Sequence, residues 1–180
     1  VKYIISSDQE SGILKPLLNP NALGPVWFVN EIKEFTTLDE LMQALKETDF
    51  KKTALVFEKD LPHGLIKNYT IDSLIKIELI SAKPDYLKYR VNNSSNAFAV
   101  FSEMYYPKGW KAFVDGKEFP IINVNYVLRG LEIPANVSKI EFRFEPQIIG
   151  KGTFFRWLSL VFFVLGICVL GYFQYFRKTR

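Results

Sequence analysis

The densest group of chemically capable side chains lies in SEMYYPKGWKAFVDGKEFP, Ser102 to Pro120, where Tyr105, Tyr106 and Trp110 surround a turn and Glu103, Lys111 and Asp115 stand close in sequence. Aromatic rings can cover the apolar face of a pyranose while carboxylates and amines bond its hydroxyls, so these six are the candidate ligand-contact residues. The same rings could instead fill a β-sandwich core or cover its end, and both readings stand at this level. Glu103 and Asp115 would in principle serve as an acid and base pair, but spacing along a chain does not set the separation of two carboxyl groups, and hydrolysis is not expected. His63, the single histidine, sits in a Pro-His-Gly turn. One imidazole with no recognisable Ser, Cys or metal partner supports neither a triad nor a zinc site, so it reads as a surface loop residue. Walker, GxGxxG, HExxH and GxSxG signatures are absent, and neither a cofactor nor a metal is expected.

The elements that must position these residues follow from periodicity. Thr37 and Glu40 have the S/T-x-x-E spacing of a capping box, and Leu38, Leu41, Met42 and Leu45 then fall on one helical face. Flanked by the strand-like PVWFVNEIKEF, Pro25 to Phe35, and TALVFE, Thr53 to Glu58, this helix completes a strand, helix, strand unit. From Ile71 the period becomes two: Ile75, Ile77 and Leu79, then Leu87, Tyr89 and Val91, alternate with charged residues. Further strands are expected at Phe98 to Ser102, Trp110 to Val114, Lys117 to Ile122, Tyr126 to Ile133 and Lys139 to Phe144. Asp115-Gly116 between two apolar runs is a hairpin signal, because both positions tolerate the positive φ of a type I′ turn. The expected class is α+β, mainly β: an antiparallel β-sandwich or jelly-roll-like domain with a small strand-helix-strand unit.

The last stretch differs. Leu158 to Phe173 reads LSLVFFVLGICVLGYF without a charge, and the 20 residues from Trp157 to Phe176 make about 30 Å of helix, the thickness of a bilayer's hydrocarbon core. Arg156 and Trp157 at one end, and Tyr172, Tyr175, Arg177, Lys178 and Arg180 at the other, are candidate interface anchors. Three basic residues among the final four direct the C-terminus to the cytoplasm and the preceding residues outward. Residues 1–152 are therefore expected as an extracytoplasmic domain, with a mixed α/β part at 1–70 and a β-sandwich part at 71–146; residues 153–180 form the transmembrane helix and a short basic tail. The single cysteine, Cys168, falls inside the apolar run and leaves the rest without a disulfide. A formal net charge of +4, from 23 basic and 19 acidic residues with no block of one sign, argues against a nucleic-acid partner. The chain opens on Val1 with nothing resembling a signal sequence, which reads as a start within a longer protein.

Tyr-Pro-x-Gly-Trp-Lys-x-x-Val-Asp-Gly, Tyr106 to Gly116, set in the run from Phe101 to Pro146 and followed by a membrane span, resembles the C-terminal end of the large bacterial membrane proteins called YfhO. VKYIIS at Val1 and NALGPVWFV from Asn21 are similar to that family too. The resemblance implies a polytopic protein of the bacterial cytoplasmic membrane, similar to GT-C glycosyltransferases that use polyprenyl-phosphate sugars. In that class the catalytic acid lies in an early extracytoplasmic loop outside this sequence, so no catalytic residue carries over. It further implies an accessory, non-catalytic extracytoplasmic domain, with the bilayer, the preceding transmembrane helices of the same protein and an envelope glycan as partners. The alternative is a membrane-tethered carbohydrate-binding or purely structural β-sandwich module.

Overall fold

A computed structural model describes residues 3–7, 14–62, 64–71 and 75–178. Val1, His63 and Arg180 lie outside the described residues. The chain divides into two compact units, Val1–Phe144 and Glu145–Arg180.

The first unit opens with β1 (Tyr3–Ser7) and β2 (Leu14–Leu18), an antiparallel ribbon pairing Tyr3 with Leu18 and Ser7 with Leu14. There follow β3 (Val26–Val29), β4 (Glu31–Phe35), helix α1 (Leu38–Glu47) and β5 (Thr53–Phe57). The Pro25–Phe35 run, expected as one strand, is thus two. Its break at Asn30 has a cause: the Asn30 N–H donates to the Lys52 carbonyl at 2.7 Å, and its own carbonyl accepts from the Tyr69 N–H at 2.7 Å. The strand-helix-strand unit is observed, with β4 and β5 parallel neighbours and α1 between them in the chain. Its capping box is formed by the Thr37 hydroxyl accepting from the Glu40 N–H at 3.3 Å and the Glu40 carboxylate accepting from the Thr37 N–H at 3.4 Å. Of the expected apolar face only Leu41 is fully buried, while Leu38 and Met42 stay exposed, because α1 packs on β4 and β5 at the margin of a sheet.

The remaining strands are β6 (Lys76–Lys83), β7 (Tyr86–Asn92), β8 (Ala97–Met104), β9 (Trp110–Val114), β10 (Lys117–Phe119), β11 (Ile122–Val124), β12 (Leu128–Ile133) and β13 (Lys139–Phe144). One sheet has the order β10-β9-β13-β7-β6 and the other β3-β8-β12-β11-β5-β4. The expected strand Lys117 to Ile122 is split at Pro120, which brings no N–H to a ladder; β10 stays with β9 while β11 joins the second sheet. The expected class is the one observed, mainly β with two packed sheets and a C-terminal apolar helix.

Packing explains the sequence pattern. Leu87, Tyr89 and Val91 of β7, Ala112 and Val114 of β9 and Ile140 and Phe142 of β13 meet Ala99, Phe101, Leu131 and Ile133 across the sandwich. Tyr89, Phe101 and Phe142 pack edge to face, with Phe101 and Phe142 centroids 4.8 Å apart. The opposite face of the six-stranded sheet is also covered: Phe98 and Val100 pack with Val29, Ile32, Ala54, Val56, Ile122 and Val124. Hence β8 is buried continuously from Ala97 to Phe101 instead of alternating. This sheet draws strands from both sides of residue 70. Its two edge strands, β3 and β4, are separated in the chain by Asn30 alone, so the sheet must roll until its edges meet.

The second unit is helix α2 (Gln147–Lys178), whose segment Gly152–Leu170, of mean hydropathy 2.1, is long and apolar enough to cross a membrane. It begins five residues before the expected span and includes Arg156 and Trp157.

On the outer side of β13, Glu141 is buried among Arg143, Lys139 (3.1 Å) and Tyr86, whose hydroxyl donates at 2.9 Å. The Arg143 hydrogen bond, opposed by burial and aided by Lys139 and Tyr86, lowers the carboxyl from 4.5 to about 2. A depressed carboxyl stabilises the fold fully above its unfolded value and progressively less below it. Thermal unfolding followed by the β-sheet circular dichroism signal should therefore fall as pH drops from 4.5 toward 2, and Glu141→Gln should flatten that acid limb while lowering stability at neutral pH.

Candidate binding site

The candidate site forms where β8 ends and β9 begins. After Met104 the chain turns through Tyr105 to Gly109, and the Tyr105 N–H donates to the Val127 carbonyl at 2.7 Å, pinning this loop to the β11–β12 turn. Trp110 then starts β9 opposite Phe144, the last residue of β13. Its ring lies 5.3 Å from that of Phe144, which lies 6.3 Å from Tyr106. Tyr106, Phe144 and Trp110 thus make a continuous aromatic wall. Gly109 lets it close, since a Cβ there would run into the Phe144 ring; this is the physical reason for glycine in the Tyr-Pro-x-Gly-Trp run.

Behind the wall stands Arg129, a residue the sequence analysis did not single out. It is 3% exposed, its guanidinium lies 4.2 Å from the Trp110 ring centroid and 5.6 Å from that of Phe142, and its Nε donates to the Met104 carbonyl at 2.8 Å. Burial lowers its proton affinity and the negative charge of Glu103 opposes that, yet a guanidinium stays charged in a protein. The stacked aromatic faces supply cation–π attraction in place of water. Among the described residues, Arg129 Nη1 and the Oδ1 of Asn123, its cross-strand neighbour, are buried with no hydrogen-bond partner.

In front of the wall is a small pocket of about 150 Å³, lined by Tyr105, Tyr106, Trp110, Lys111, Glu118 and Pro120 among others. Four of the six candidate residues, Tyr105, Tyr106, Trp110 and Lys111, therefore share one site. Glu103 is half-buried at the same end, where its charge acts on Arg129. Tyr105 is also half-buried; burial pushes its phenol up and the charge of Asp60 adds to the shift. Glu118 joins the site unforeseen, brought by the β9–β10 hairpin.

Asp115 stands apart, at the other end of β9. At φ 45°, followed by Gly116 at φ 88°, it forms the expected turn. Its carboxylate accepts from the Ser138 hydroxyl at 2.8 Å, the Ser138 N–H at 3.1 Å and the Lys139 N–H at 2.9 Å. Burial pushes the carboxyl up, but the hydrogen bonds from Ser138 and Lys139 and the Lys139 charge outweigh it, so its pKa lies below the ordinary value. Asp115 ties the β9–β10 turn to the start of β13, and the structure does not bring it to Glu103's end of the sandwich. Among the described residues no group of three His, Cys, Asp or Glu is placed to hold a metal.

Of the interface candidates, Trp157 is 58% exposed on α2 with the Arg156 guanidinium 5.8 Å from its ring centroid, and Arg177 is exposed. Tyr172, Tyr175 and Lys178 lie on the same helix, and Arg180 is outside the described residues.

Fold and helix define a β-rich protein domain that continues into a segment able to cross a bilayer. Residues 68–155 match the family model described as bacterial membrane protein YfhO, so this stretch is YfhO-like, and together with the apolar helix it supports association with a lipid bilayer. The matched stretch holds all six candidate residues together with Arg129 and Glu118. No curated protein and no solved structure matches the chain.

Two substitutions test the wall. Gly109→Ala should displace the Phe144 ring, shift the indole N–H resonance of Trp110 and cost about 1–3 kcal/mol through overpacking. Arg129→Ala should cost about 2 kcal/mol or more, by removing a packed stem and its hydrogen bond to the Met104 carbonyl. By contrast, exposed Lys108→Ala should stay within about 0.5 kcal/mol of the parent in the same unfolding measurement.

Proposed function

We propose that this YfhO-like domain is a non-catalytic, extracytoplasmic accessory domain of a polytopic GT-C-like glycosyltransferase of the bacterial cytoplasmic membrane. It holds an envelope glycan near the bilayer while sugar transfer from a polyprenyl-phosphate donor takes place in other parts of the full protein. The observation that carries this reading is the pocket itself. Half-exposed Tyr106 and partly buried Trp110 offer apolar surface, and Lys111 and Glu118 offer a cation and a carboxylate for hydroxyls on its rim. The basic residues Arg177, Lys178 and Arg180 support a cytoplasmic C-terminus and an outward-facing first unit. The preceding transmembrane helices of the same protein would be its nearest partners.

One observation favours a second reading, a structural module that braces the membrane part. Trp110 has Arg129 against its ring and Phe144 beside it, so much of its surface is already taken up in packing.

Titration of the full chain in lipid nanodiscs with envelope oligosaccharides, followed by side-chain NMR, separates the two. Glycan holding predicts saturable shifts at Tyr105, Tyr106 and Trp110 that vanish in Tyr106→Ala while the β-sheet signal persists. Unchanged spectra across a broad glycan panel would sink it and leave the bracing role.

A further inference from the structure

The first unit leaves five large apolar side chains exposed at its Trp110 end: Met104, Tyr106, Tyr126, Val127 and Phe144, from 37% to 72% accessible. They belong together. The Met104 carbonyl is bonded by Arg129, the Val127 carbonyl by the Tyr105 N–H, and Tyr106 packs on Phe144. The turn that presents Tyr126 passes through positive φ at two successive residues, 49° at Asn125 and 72° at Tyr126. Asparagine tolerates that region; a bulky aromatic residue does so only under strain. A tyrosine held there while 46% exposed is not explained by packing alone, because a smaller residue would make the same turn with less strain.

The side-chain types are those of a membrane–water interface. Tyrosine rings sit at headgroup depth, Phe, Met and Val reach the acyl boundary, and an exposed lysine, here Lys108 in the same loop, can extend its ammonium to lipid phosphate. Chain continuity names the bilayer as occupant over a separate protein. From Phe144 the chain runs two residues to the start of α2 at Gln147 and enters the apolar segment at Gly152. That is at most about 18 Å of contour, three extended steps and the rest helical. A bilayer crossed by that segment is held at high effective concentration next to the strand that ends in Phe144, so weak apolar contacts suffice to engage it.

We propose that Met104, Tyr106, Tyr126, Val127 and Phe144 form a docking surface that seats the Trp110 end of the sandwich in the interfacial layer of the lipid bilayer. The proposal does not rest on glycan holding, and the two are tested separately.

Spin labels on the full chain in phosphatidylcholine–phosphatidylglycerol vesicles provide the test, with Cys168→Ser as background. Labels are placed at Met104→Cys and Val127→Cys and, for reference, at Lys117→Cys beyond the Asp115 turn. Docking predicts that collisions with oxygen, relative to a water-soluble nickel chelate, are several-fold more frequent at the first two positions than at the third. Equal ratios at all three positions, with the fold intact, would overturn the proposal. So would shielding of positions 104 and 127 from both reagents that persists in detergent or grows with protein-to-lipid ratio, since the cover would then be protein, including a second copy of this chain.

Discussion

A single residue sets the shape of the first unit. Because only Asn30 lies between β3 and β4, while these strands stand at opposite ends of a six-strand order, the sheet cannot remain open. Adjacent strands are about 4.8 Å apart, so an open sheet would separate its edges by roughly 24 Å, far beyond what one residue spans. Rolling encloses Phe98, Val100, Val29 and Val56 on the inside and turns Phe101, Leu131 and Ile133 outward against the five-stranded sheet. Gly130 belongs to this constraint, for a Cβ there would meet Val124 Cγ1 at 2.5 Å and Phe98 Cζ at 2.6 Å. The central strands thus serve two cores at once, and the end where they meet the second sheet becomes the place where loops, turns and aromatic rings converge.

At that end the cores run out and Arg129 takes over. A buried cation is costly unless something replaces its hydration. Trp110 and Phe142 rings, the Met104 carbonyl and the charge of Glu103 share that task. Arg129 is bonded to the end of β8 and stacked on the start of β9, so it links the two sheets across the loop that carries Tyr105 and Tyr106. Asp115 plays the complementary part at the far end of β9, where its carboxylate ties a hairpin turn to Ser138 and Lys139. Two charged groups therefore bound one five-residue strand, and each is used for architecture.

Local chemistry was legible in the sequence where it is locally determined. The capping box at Thr37 and Glu40, the Asp115-Gly116 turn and the alternation through Leu87, Tyr89 and Val91 follow from backbone and side-chain geometry within a few residues. Long-range choices were not legible. Nothing near Asn30 says that β3 and β4 go to opposite edges, because that depends on Lys52 and Tyr69. Within the site, the aromatic cluster was visible as composition, but Glu118 enters only through the β9–β10 pairing and Asp115 leaves only because β9 is extended. Arg129 did carry a signal: by a period of two it shares the phase of Leu131 and Ile133. A charge in the core phase of a strand marks a place where the interior ends.

The pairing of Val26 with Phe101 spans 75 positions of the chain. On a ribosome, where the amino-terminal part emerges first, β3 is made long before β8, its neighbour in the sheet. Trp27, Phe28 and Val29 must wait without their ladder until β8 is synthesised, and the rolled sheet, which also needs β11 and β12, completes just before the apolar helix itself emerges. Assembly of this unit is thus nearly simultaneous with arrival of its anchor. During that interval β3 is an unpaired apolar strand, the kind of segment that invites pairing with the wrong partner.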